Sequence, residues 1–201
     1  MSRYTGPKAR INRRLGAMIF ESSGAAKASE RRNTPGMHPA PRKLSKYAEA
    51  MREKQKIKYY YGLGEKQLCR IYDKAQRMPG NTGENMLILC ERRIDSVIRL
   101  AGLTKTRPQA RQGVAHGHFL LNGRRHNVAS AQLGPGDVVD VLGRTGLFDL
   151  YRGCMAENDG RSADWLSVDA RAMRVTVMRT PTIDDVTLPV DVGKVGELLS
   201  R

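Results

Sequence analysis

Seven side chains between Thr106 and Asn127 could do chemistry together: Arg107, Arg111, Gln112, His116, His118, Arg124 and Arg125. They are guanidinium, imidazole and amide groups, and all can donate hydrogen bonds. The stretch TRPQARQGVAHGHFLLNGRRHN therefore suits the recognition of something large, flat and negative. Phosphate oxygens are the natural acceptors, because guanidinium forks match them in shape and charge.

Two local elements must carry this set. Thr106 is placed to cap a helix whose inward side is Ala110, Gly113, Val114 and Gly117, all small, so that helix should press closely on a neighbour. A glycine at 113 costs about 1 kcal/mol relative to alanine in a helix, which points to a close approach there. Arg107 and Arg111 lie one turn apart and are expected to face outward, with Gln112, Ala115 and His116 extending that face. Phe119 and Leu121 then alternate with His118 and Leu120, and Asn122-Gly123 is a strong two-residue hairpin signal because both turn positions need positive φ. Backbone amides at such a turn can also meet phosphate oxygens. LGPGD makes a further turn and VVDVL a further strand. Exposed arginines on a helix are ordinarily just solvated, so the turn and the histidines are what favour a binding face.

Composition agrees. The 201 residues carry 35 Lys plus Arg against 20 Asp plus Glu, a net +15. That imbalance favours a polyanionic partner, nucleic acid first. Residues 1–60 hold +11 of it, residues 61–110 hold +4, and residues 111–201 are balanced. No apolar run approaches the ~20 residues of a spanning helix. MSRYTGPKARINRRLG lacks the apolar core of a secretory signal, so a soluble, non-exported, cytoplasmic protein is expected. Cys69, Cys90 and Cys154 are too scattered for a disulfide framework or a zinc site, and are expected to be packed thiols.

Upstream, residues 1–44 show no sustained period and read either as a disordered tail or, as their charge favours, as a basic arm that orders against phosphates. Leu44, Tyr47, Ala48 and Met51 share one helical face, with Glu49, Arg52, Glu53 and Lys56 opposite and Ser45 as cap. Gly62 and Gly64 end that helix. Leu68, Ile71, Tyr72 and Ala75 mark a second over 65–78. A third, capped at Thr82, runs to Ala101 with a break near Glu91. Trp165 to Asp169 and Met173 to Arg179 alternate like strands.

RRIDSVIRLAGL, TRPQARQGVAHGHFLLNG and NVASAQLGPGDVVDV, in that order, resemble the S-four RNA-binding domain. RYTGPKARINRRLG, LSKYAEAMREKQK, YYGLGEKQL, GNTGEN and DWLSVD extend the resemblance to the S-four family of small-subunit ribosomal proteins over nearly the whole length. The implied fold is α+β. It has a basic extended arm (1–44), a mainly helical body (45–91) completed by a return segment (161–201), and an inserted module of helices with a small antiparallel sheet (92–160).

The implied role is a non-enzymatic primary binder of small-subunit ribosomal RNA. It would nucleate assembly, support decoding accuracy and touch neighbouring ribosomal proteins near the messenger entrance. Implied RNA contacts are Arg3, Tyr4, Lys8, Arg10, Arg13 and Arg14; Arg52, Lys54, Lys56 and Lys58; and Arg107, Arg111, Gln112, His116, His118, Asn122, Gly123 and Arg124. Some relatives bind zinc through cysteines in the arm, but no cysteine precedes Cys69 here, so no metal or cofactor is expected. TPTIDD and the ending VDVGKVGELLSR match the family pattern only loosely.

Two other readings use the same residues. An S-four module also occurs in pseudouridine synthases, whose R-L-D motif Arg93-Ile94-Asp95 echoes. That chemistry needs a large sheet domain for which the chain has no room, and Asp95 four residues before Arg99 reads as an ordinary surface ion pair. His38, His116, His118 and His126 show no metal or nucleophile spacing. A free-standing assembly or stress factor would share the module but not the arm and GNTGEN.

Overall fold

The computed structural model describes residues 4–20, 22, 24, 25, 27, 33–37, 43–158 and 162–200. The chain forms two compact units, Met1–Met86 with Leu188–Arg201, and Leu87–Thr187.

The first unit is helical. Helix α1 (Lys8–Leu15) lies inside the expected arm, buries Ile11 and Leu15 one turn apart, and stops at Gly16. Buried Asn12 pins the chain beyond it: its Oδ1 accepts from the amides of Ile19 at 3.2 Å and Phe20 at 3.0 Å, and its Nδ2 donates to the Phe20 carbonyl. Helix α2 (Lys46–Tyr60) is capped by Ser45, whose hydroxyl accepts from the Ala48 amide. Its buried stripe differs from the expected one. Ala50, Lys54, Ile57 and Tyr60 face inward while Tyr47 is 60% exposed. The aliphatic stem of Lys54 fills an interior position and its ammonium reaches Glu65, as long cationic side chains do.

Helix α3 (Glu65–Gln76) buries Leu68, Tyr72 and Ala75. Helix α4 (Thr82–Glu91) is capped by Asn81 rather than Thr82, the Asn81 Oδ1 accepting from the Gly83 amide at 3.0 Å. The C-terminal helix α8 (Val192–Leu199), which follows α5 to α7 of the second unit, is capped by Asp191. It is tied to α2 through Lys194–Glu49 at 3.2 Å and to α3 through the Tyr72 hydroxyl, which donates to the Gly196 carbonyl.

The second unit begins within α4, and the chain breaks after Glu91 as expected. Arg93 is extended and immediately precedes α5 (Ile94–Leu100), with no side-chain bond to the helix amides. Then come α6 (Arg107–Ala115), β1 (Phe119–Leu121), β2 (Arg124–His126), β3 (Val138–Val141), α7 (Thr145–Glu157), β4 (Leu166–Asp169) and β5 (Arg174–Val177). The strands form one antiparallel sheet in the order β2-β1-β3-β5-β4. Ile94, Val97 and Ile98 of α5, Ala110 and Val114 of α6 and Tyr151 of α7 pack with Phe119, Val139, Val141, Trp165 and Val175 into a single core. The architecture is α+β. Residues 162–187, expected in the return segment, lie in this unit because β5 pairs with β3, Val139 opposite Val175. Cys90 and Cys154 are buried, and burial pushes the Cys90 thiol well up; Cys69 is exposed, contrary to expectation.

Candidate nucleic-acid interface

The module's cations are positioned by α6 and the hairpin that follows it. Thr106 caps α6, its hydroxyl accepting from the Gln109 amide at 3.4 Å. Ala110, Gly113 and Val114 are buried as their spacing requires, which leaves Gln112, Ala115 and His116 exposed. Asn122 and Gly123 take φ +51° and +77°, the two positive values that a tight hairpin needs. Arg124 is exposed beside the turn and makes no ion pair among the described residues.

Arg125, a residue of the same stretch, folds back instead. Its Nε donates to the Gly117 carbonyl and a terminal nitrogen to the His116 carbonyl, both at 3.2 Å. It thereby closes the C-terminal end of α6, where carbonyls are otherwise unsatisfied. The same contact holds β2 near the histidines. His116 and His118 meet edge to face at 5.6 Å, and the His118 Nδ1 shares a hydrogen bond with the Tyr151 hydroxyl at 2.9 Å. Burial, then the nearby charges of His116, Arg144 and Arg125, hold His118 below its ordinary 6.5, while burial pushes Tyr151 up to about 12.

Arg107 and Arg111 do not face outward as expected. Their side chains are only 11% and 13% exposed, and each lies against a buried carboxylate. Arg107 reaches both oxygens of Glu91 at 3.3 and 3.4 Å, and Arg111 lies 3.6 Å from Asp95. Asp95 also takes a two-pronged bond from Arg93 at 3.0 and 2.7 Å and accepts from the Ser96 amide. The surface pair with Arg99 expected for Asp95 is thus replaced by a buried network. Glu91 and Asp95 were legible in one respect: two acids four apart stand upstream of two arginines four apart.

Asn122 is also engaged. Its Oδ1 accepts from the Val138 amide and its Nδ2 donates to Asp137, both at 2.9 Å, so it joins the hairpin to the LGPGD turn.

In the first unit, Tyr4 is exposed, its hydroxyl donating to the Pro7 carbonyl and its ring set edge-on to Tyr59 at 5.3 Å. Lys8 stands 5.9 Å over the Phe20 ring, Arg10 and Arg14 are exposed, and Arg13 donates to the carbonyls of Asn33 and Thr34. Lys54 and Lys58 share Glu65 at 2.5 and 2.9 Å, and their hydrogen bonds hold its carboxyl below the usual range. Lys56 pairs with Glu53 at 2.6 Å, and Arg52 makes no ion pair among the described residues. Arg3 and His38 lie outside the described residues.

Among the described residues, no three His, Cys, Asp or Glu are placed to hold a metal ion, and no helix is long and apolar enough to cross a membrane. What the arrangement offers is a set of exposed donors beside a rigid turn.

Residues 3–91 match the family described as the ribosomal protein S4/S9 N-terminal domain, and residues 92–139 match the S4 domain. Small ribosomal subunit protein uS4 of Rhodopirellula baltica is 53% identical, with all of both chains aligned. This chain belongs to the uS4 family. The proteins of the same name from Opitutus terrae and Persephonella marina are 42% and 40% identical, again over the full length of both chains. The boundary between the two matched domains, at residue 91/92, coincides with the break between α4 and α5.

Proposed function

We propose that this chain is a structural, RNA-binding component of the small ribosomal subunit and has no catalytic role. The observation that carries the reading is the end-to-end match, at 53% identity, to a relative named as a small ribosomal subunit protein. Its partners on this reading are small-subunit ribosomal RNA and neighbouring ribosomal proteins. The net charge of +15 and the exposed donors Arg10, Arg14, Gln112, His116 and Arg124 support it.

Folded RNA hides its base edges in a deep, narrow major groove, so such donors read phosphates, shape and 2′-hydroxyls. Residues of the N-terminal segment, among them Arg3, Tyr4, Lys8 and Arg13, form a second contact region, and α2 contributes Arg52 beside its paired lysines. Primary binding that nucleates assembly, support of decoding accuracy and a place near the messenger entrance are the finer parts of the proposal.

Sedimentation of a cell lysate through sucrose in high salt tests it. The chain is expected to stay with the small subunit. Release at high salt would mark an assembly or stress factor that visits the particle. With purified RNA, log affinity should fall against log salt with a slope of about −0.7 to −0.9 per phosphate neutralised. A flat line would overturn the RNA-binding reading.

A further inference from the structure

Glu91 is fully buried and Asp95 nearly so, at 0% and 4% exposure, in a chain whose excess charge is positive. A buried carboxylate needs a compensating cation. Here the cations come from α6, whose Arg107 and Arg111 reach across to the end of α4 and the start of α5. Both acids stand on one stretch of chain four residues apart, matching the spacing of the arginines. Arg107 therefore meets Glu91, whereas Asp95 is shared: Arg93 makes the two short hydrogen bonds to it, the Ser96 amide donates to it, and Arg111 stands 3.6 Å away. Arg93 in turn donates to the Ala129 carbonyl at 3.3 Å, so the network also grips the loop that precedes β3.

We propose that Glu91 is an internal counterion that masks Arg107 from RNA, and that Asp95, shared with Arg93, holds Arg111 inward and away from it. The two arginines become struts that orient the outer side of α6, and they leave phosphate neutralisation to neighbours such as Arg124. The inference rests on the RNA-binding reading above and deepens it by separating positioning cations from contacting ones. The physical ground is the salt dependence of polyelectrolyte binding: a cation already neutralised by the protein's own carboxylate displaces no further counterion from the nucleic acid. Removing such an arginine leaves the slope of log affinity against log salt unchanged. Removing its carboxylate unmasks the arginine and steepens the slope.

The test uses the full-length chain and a fragment of small-subunit ribosomal RNA, with affinity measured across a salt series. Arg107→Met is expected to leave the slope as in the native chain, and Glu91→Gln to steepen it by about one contact, on the order of 0.7 to 0.9. The double variant E91Q/R107M should return to the native slope, Arg111→Met should leave it unchanged, and Arg124→Ala should reduce it by about the same 0.7 to 0.9. A slope reduced by about one contact in Arg107→Met or Arg111→Met makes those arginines direct phosphate ligands and overturns the masking. So does a Glu91→Gln slope that matches the native one.

Thermal melts followed by Trp165 emission identify the variants that fold. If a single variant does not fold, the double variant, which leaves no buried charge unpaired at this site, decides: a native slope supports masking and a reduced one overturns it. Failure of the native chain to bind the RNA at all would be a failure of the RNA-binding reading, and is recognised before any variant is compared.

Discussion

A Cβ on Gly113 would stand 2.5 Å from the hydroxyl oxygen of Tyr151 and 3.0 Å from the Phe119 ring, so α6 approaches α7 and β1 this closely only because residue 113 has no side chain. Tyr151 is buried and hydrogen-bonded to His118, which leaves it no easy way to move aside. Gly113→Ala gains about 1 kcal/mol in helix propensity. It loses roughly 1–3 kcal/mol to overpacking. A net loss of stability is expected, read by urea unfolding with Trp165 emission. Tyr151→Phe removes the nearer obstacle, so adding Gly113→Ala to it should cost less than adding it to the native chain. A stabilised Gly113→Ala would show that the two helices can separate freely.

Asp95 is the carboxylate on which Arg93 and Arg111 converge, and Arg93 is itself only 2% exposed. Asp95→Ala leaves the Arg93 guanidinium buried without its carboxylate. Breaking a buried pair from one side costs about 3–5 kcal/mol, against the few tenths of an exposed helix pair. Urea midpoints of the native and variant chains distinguish the two. A change under about 1 kcal/mol would mean that Arg93 escapes to solvent, as an exposed pair does.

The elements that could be read from the sequence are those specified by neighbours within one or two turns. Leu68, Tyr72 and Ala75 define the buried side of α3, Asn122-Gly123 defines the hairpin, and the break after Glu91 falls where Arg93 leaves the helix. What escaped depends on partners distant in sequence. Helix α1 has only Ile11 and Leu15 to bury, and it relies on Asn12 to hold the chain beyond it. The buried stripe of α2 could not be predicted with Lys54 treated as a surface residue, because Glu65 is what makes its burial tolerable. Placing residues 166–177 in the module required the β3–β5 pairing, which joins segments more than 30 residues apart and has no local signature. In the candidate interface, residue type marked α6 and the hairpin as cationic. Which arginines are engaged with acids depended on Glu91 and Asp95, across two helices.

His118 should report this environment through its titration. Its imidazole is held below the ordinary 6.5, first by burial and then by the positive charges of His116, Arg144 and Arg125. A depressed value means that the fold favours the neutral ring. Its contribution to stability is therefore fully present above pH 6.5 and is lost as pH falls from there through the folded-state midpoint. The Hε1 resonance in NMR gives that midpoint directly, and Arg144→Ala is expected to raise it by removing one of the opposing charges. RNA bound nearby should raise it further, since phosphate favours the imidazolium. A midpoint at or above 6.5 in the free chain would contradict the burial account.

Asn122 holds two demands at once, a backbone at φ +51° and a side chain that bonds both the Val138 amide and Asp137. These can be separated by substitution. Asn122→Gly keeps the left-handed conformation without strain but abandons the side-chain bonds, whose net worth is about 0.5–1.5 kcal/mol each. Asn122→Ala abandons the same bonds and adds the cost of holding a Cβ at positive φ, of order 1 kcal/mol. Both variants should be less stable than the native chain, alanine more so than glycine, by chemical denaturation. Amide exchange at Val138 should quicken in both, because its acceptor is the Asn122 carbonyl oxygen of the side chain. Equal losses for the two variants would place the whole effect in the hydrogen bonds, and an unchanged Val138 exchange rate would show that the LGPGD turn holds its register without them.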